Sequence, residues 1–108
     1  MYFRFDNAET FVNECKAVEN ADPDKMVIPT KDLNNIGLCY GFIDGVVDLD
    51  KMDSGFAKHP ANGWCVPDDA SDSQLAKVIL KYAHDHPEEL HFASVAFVAN
   101  ALHRAFPC

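Results

Sequence analysis

The chain has 108 residues, 48% of them apolar, and a formal net charge of −8. Such a length sets a prior of one domain, residues 1–108, around one modest core. The charge excludes nucleic acid and anionic lipid as partners and leaves a basic protein surface, or solubility alone, as its use.

The opening MYFRFDNAETF has no basic end followed by an apolar core, so it does not read as a secretory leader. Export would require that Met1 stand where a leader was removed. Asp6 and Glu9 form a capping-box pair, in which each side chain can satisfy an orphan backbone N–H. Ala8, Phe11, Val12, Cys15 and Val18 then fall on one face of a first predicted helix, which ends at Ala21-Asp22-Pro23-Asp24. Residues 24–32 read as a connector containing Pro29.

A long second helix is predicted from Leu33 to Met52. Leu33, Ile36, Tyr40, Ile43 and Val47 form its apolar face, widened by Leu38, Phe42, Val46 and Leu49. The longest apolar run, Gly41–Leu49, is broken by Asp44 and Asp48 and cannot span a membrane. Gly37, Gly41 and Gly45 stack on one side of this helix. Each costs about 1 kcal/mol relative to alanine in a helix interior, which implies close approach of another helix. Packing within the chain is the first expectation and a subunit contact the second.

Residues 53–70 carry two glycines, two prolines and several turn formers, and read as a loop. Loops of that length are often functional. A third helix opens at a second capping box, Ser71 to Gln74, with Leu75, Val78, Ile79 and Tyr82 as its buried stripe. It ends at His84-Asp85-His86, and Pro87 suits the first position of a fourth helix. The short link makes the third and fourth helices antiparallel neighbours. The fourth carries two apolar stripes, Leu90/Ala93/Phe97/Ala101/Ala105 and Phe92/Val95/Ala99/Leu102/Phe106, and stops at Pro107. A helix so broadly apolar is central or lies in a subunit interface.

Four cysteines, Cys15, Cys39, Cys65 and Cys108, allow three pairings. An antiparallel fourth helix brings Cys108 back to the start of the third, beside Cys65, which leaves Cys15 to meet Cys39. The alternative is four reduced thiols in a cytosolic core. The wide spacing does not suit a zinc knuckle. The expected fold is therefore all-α: a small domain of four main helices stapled by Cys15–Cys39 and Cys65–Cys108.

Catalytic chemistry has no strong candidate. A Cys–His hydrolase needs a free thiolate, and no nucleophile signature surrounds any cysteine. His84, His86 and His91 cluster at the third link but lack the spacing of a ligand set, so no metal and no cofactor is expected. Asp48 to Asp53 resembles a calcium loop only faintly, since Met52 replaces a ligand and the glycine and closing glutamate are missing. Asp44 and Asp48 lie one turn apart and could pair as acid and base, but a charged helix edge explains them more simply. Binding becomes the default role.

The C-terminal half carries a resemblance. Cys65-Val66-Pro67, Tyr82, His86-Pro87-Glu88, Leu90-His91 and the closing Ala105-Phe106-Pro107-Cys108 are similar to the pattern of type VI secretion amidase immunity proteins, the Rap/Tai family. Upstream, Cys39-Tyr40-Gly41-Phe42-Ile43-Asp44-Gly45-Val46-Val47-Asp48 resembles the family's Cys…Gly-Tyr-x-x-Gly-Val-x-Asp segment, with Tyr40 placed before Gly41 instead of after it. The similarity spans roughly residues 8–108, and its ending is its most specific part.

The resemblance implies a helical, periplasmic, often homodimeric protein that binds a papain-like cysteine peptidoglycan amidase and blocks its catalytic groove. It implies an inhibitor, not an enzyme. On that reading the 53–64 loop is the first candidate to enter the amidase cleft, with Phe56, Lys58, His59, Asn62 and Trp64. The link from Asp85 to Glu88, with His86 and Glu88, is the second. The fourth helix and the glycine face are the candidate dimer contacts. Two other classes remain open: a periplasmic interaction protein with a different partner, and a small Cys-dependent hydrolase.

Overall fold

The computed structural model describes residues 7–20, 28–57 and 64–108, with the side chains of 20 and 54–57 also outside the description. The fold is all-α. Its helices are α1 (Ala8–Cys15), α2 (Ala17–Asn20), α3 (Thr30–Ala57), α4 (Asp72–Asp85) and α5 (Ser94–Ala105), with a 3-10 turn at Pro87–Glu89. No strand occurs among the described residues.

Tertiary contacts set where α1 begins. Its cap is Asn7, whose Oδ1 accepts from the Thr10 backbone N–H at 3.1 Å, and not the expected Asp6–Glu9 pair; Asp6 lies outside the described residues. The N–H groups of Ala8 and Glu9 donate to the carbonyls of Phe92 (2.8 Å) and Leu90 (3.0 Å). Ser94 Oγ, fully buried, donates to the Asn7 carbonyl at 2.9 Å. The orphan donors of a helix start are thus satisfied by a segment more than eighty residues away. The first predicted helix continues past a break at Lys16 into α2, where Val18 is buried.

The same contacts correct the fourth predicted helix. Pro87 opens only a 3-10 turn, and α5 begins at Ser94. The Leu90 and Phe92 carbonyls, which a continuous helix would use internally, are engaged by α1 instead. Phe97, Val98, Ala101 and Leu102 form the buried face of α5, while Val95 is 58% exposed. Phe106 closes the helix through its N–H to the Leu102 carbonyl.

The second predicted helix is longer at both ends. The Pro29 carbonyl accepts the Leu33 N–H, so Pro29 starts α3 instead of extending the connector. At the other end α3 runs through Asp53-Ser54-Gly55 to Ala57, residues read from sequence as loop. Cys39, Ile43, Val47 and even Asp50 form one buried line down this helix. At 28 residues α3 is about 42 Å long, matching the longest dimension of the molecule, 43 Å. It packs against α1, α2, α4 and α5.

The glycines do not mediate close packing within the chain. A Cβ at Gly37, Gly41 or Gly45 would meet nothing within 4 Å. Each Gly→Ala change should therefore raise stability by up to about 1 kcal/mol, since helix propensity is gained with no clash. Thermal melts of the three single variants check this, and a loss at any position would show a hidden neighbour.

The α4 cap is as expected: Ser71 Oγ accepts from the Gln74 backbone N–H at 3.1 Å. Leu75, Ala76, Ile79, Leu80 and Ala83 are buried beneath it, with Tyr82 at the edge of the core. Both expected disulfides are present. Cys15–Cys39 joins α1 to α3, and Cys65–Cys108 ties the segment before α4 to the end of the chain, each with Cα atoms 5.0 Å apart. The second is flanked by the Cys65 N–H to Phe106 carbonyl bond (2.8 Å) and an isolated Trp64–Pro107 bridge.

Candidate functional site

The residues expected to meet a partner are distributed unevenly. Phe56 lies in the last turn of α3. Lys58, His59 and Asn62 lie outside the described residues. Trp64 is buried, only 7% exposed, and belongs to the core cluster. Among the described residues its indole Nε1 finds no acceptor. His86 and Glu88 are brought together, with His86 Nδ1 3.1 Å from Glu88 Oε1. They are not brought together with Trp64, since the two places line different depressions.

Around His86 lies a network that the sequence did not reveal. Tyr82 Oη donates to Glu89 Oε2 at 2.7 Å, and Asn100 Nδ2 donates to Glu89 Oε1 at 3.0 Å. The His86 ring lies 4.4 Å from that of Tyr82, and Tyr82 meets Phe97 edge-on at 5.3 Å. Burial, and then the bond to Glu89, push the Tyr82 hydroxyl up to about 12. Backbone hydrogen bonding, and then His86, hold the Glu88 carboxyl below its usual range. The only available signal was Tyr82 and Glu89 two helical turns apart, a spacing the intervening proline obscured.

Among the described residues, His86, Glu88 and Glu89 are the one group whose donor atoms could converge on an ion, all lying within 4.8 Å of one another. Glu89 is already committed to Tyr82 and Asn100, so the trio serves the 3-10 turn. His84 and His91 are exposed and stand outside this group. The stretch from Asp48 to Asp53 is helical throughout and cannot wrap a calcium ion.

Asp44, read from sequence as part of a charged helix edge, faces a second acid across the helix pair. Its carboxyl shares a hydrogen bond with Asp72 in the first turn of α4. That bond, then burial, then repulsion from Asp72 and Asp48 raise its pKa from 3.8 to about 6. The folded state therefore holds a proton that the unfolded chain releases at lower pH. The associated stability is complete below about 3.8 and is lost as pH rises through about 6. Asp44→Asn keeps a donor toward Asp72 without the charge. It should raise the melting temperature above pH 6, with the gain disappearing near pH 4. A gain independent of pH would refute the shared proton.

An apolar depression lies along one side of α3. Gly41, Gly45, Val46, Leu49, Trp64 and Val95 are among the residues lining a cavity of about 660 Å³, with Asp50 and Asp53 at its acidic end. Leu49 and Val95 are more than half exposed.

A helical frame with every cysteine in a disulfide offers no thiol nucleophile. Together with a groove and an acidic surface, it suits a binding role. The chain belongs to the Rap1a immunity proteins, whose family model matches residues 7–108. It is an immunity protein and not an enzyme. No curated protein and no solved structure matches it.

Proposed function

We propose that the protein protects its producer by binding a type VI secreted peptidoglycan amidase and occluding the enzyme's active-site cleft. The family match over nearly the whole chain carries this reading. The physical features accord with it. Two disulfides suit an oxidising compartment, here the periplasm. Among the described residues, no helix is long and apolar enough to cross a membrane. A net charge of −8 steers a basic enzyme toward this surface.

Inhibition on this reading is steric, with a rigid cross-linked frame limiting the entropy lost on docking. The segment from Phe56 to Asn62, with Lys58 and His59, enters the cleft from its anchor at the buried Trp64, and His86 with Glu88 forms a second contact. A homodimer would use the end of α3 where Leu33, 51% exposed, stands beside Gly37 and Leu38.

Co-expression with a type VI amidase tests the proposal. The expected result is a stable complex in which hydrolysis of crosslinking peptides is lost. Replacing residues 58–62 by a short Gly/Ser link should restore hydrolysis while helicity is retained. Full amidase activity in the presence of excess wild-type protein, across the known classes of such toxins, would overturn the reading.

A further inference from the structure

One face of α3 has room that no described residue fills. Gly41 and Gly45 have open space where a side chain would begin. Beside them, Val46, Trp64 and the exposed Leu49 and Val95 shape the apolar groove. An apolar hollow rimmed by polar residues is the kind of surface that receives a ligand or a partner. The Trp64 indole N–H in its wall has no acceptor among the described residues, which is costly for a buried donor.

Charge selects the occupant. Asp53, exposed, lines one end of the groove, Asp48 is exposed on a neighbouring turn, and no basic residue is among the groove's described lining. Lys51, the nearest cation on α3, is held by Asp68 Oδ1 at 2.8 Å. The chain's net charge of −8 favours a cationic partner over a second acidic copy.

We propose that this groove receives a cationic amphipathic helix of the partner, with large aliphatic side chains over Gly41 and Gly45 and Lys or Arg at the Asp53 end. The binding mode is a helix laid into a groove. The chemistry of the segment rests on the groove, and only its assignment to the amidase rests on the proposed function.

Trp64 is the only tryptophan in the chain and reports directly on occupancy. The probe is a Leu/Lys amphipathic helical peptide titrated into the full-length protein, with a Leu/Glu peptide of the same length as control. The Leu/Lys peptide should shift Trp64 fluorescence saturably and more weakly as salt rises, whereas the Leu/Glu peptide should not. The Gly41→Leu/Gly45→Leu variant fills the groove from positions where a Cβ meets nothing, so it should fold and bind the peptide at least tenfold more weakly. Asp53→Lys should weaken binding several-fold.

Three results would overturn the proposal: an unchanged Trp64 signal, equal binding by the filled variant, or sedimentation showing a wild-type dimer that the filled variant dissolves. The filled variant should also lose capture of an amidase that the wild type inhibits. Undiminished capture would remove the groove from the complex and leave the proposed function standing. Peptide binding by a protein that inhibits no amidase would support the groove and end the proposed function.

Discussion

Replacing Cys15 and Cys39 together by alanine should lower stability by about 3 kcal/mol through restored loop entropy alone. The bridge spans 24 residues and joins α1 to α3. Both cysteines are fully buried, so the lost sulfur packing adds to the cost. For a domain of this size the melting temperature should fall by on the order of 10–20 °C. A drop of no more than about 2 °C would mean that α1 is held to α3 by packing, with no measurable contribution from the cross-link. The two bridges should also separate kinetically. Cys65 and Cys108 are exposed, so a mild reductant should open that pair in the folded protein. Cys15–Cys39 should resist until the chain unfolds. Mass-resolved alkylation during reduction distinguishes this order from simultaneous loss.

Phe97→Ala should destabilise the fold by about 3–5 kcal/mol, enough to abolish protection through loss of the folded protein. Phe97 is fully buried on α5 and meets Tyr82 of α4 edge-on. Its removal leaves a cavity at the point where α4 and α5 join and weakens the support of the Tyr82–Glu89–Asn100 network. Val95→Ala on the same helix is the contrast. With Val95 58% exposed, the change should stay within about 0.5 kcal/mol. Urea unfolding of both variants, with unchanged dependence on denaturant, checks the pair. Similar losses for both would show that the outer face of α5 is covered.

Much of the candidate site was hidden from a linear reading for identifiable reasons. Trp64 in a turn-rich stretch looked like a protruding anchor, yet pairing with Pro107 beside the Cys65–Cys108 bridge carries it into the core. The glycine stripe was legible as a pattern, but its purpose was not. Spacing along a helix reports which residues share a face, not what stands opposite that face. His86 and Glu88 were legible as neighbours, whereas the Glu89 bonds to Tyr82 and Asn100 required α5 to return against α4.

Local chemistry decided the helical class, the Ser71 cap, the antiparallel return of α5 on α4 and, through that return, both disulfide partners. These follow from periodicity, capping side chains and short links, each of which acts over a few residues. Packing between distant segments decided the rest: the start of α1 at Ala8, the delay of α5 to Ser94, and the open groove beside Gly41 and Gly45. A backbone carbonyl can serve its own helix or a remote one, and only the folded arrangement settles which hydrogen bond leaves fewer groups unsatisfied.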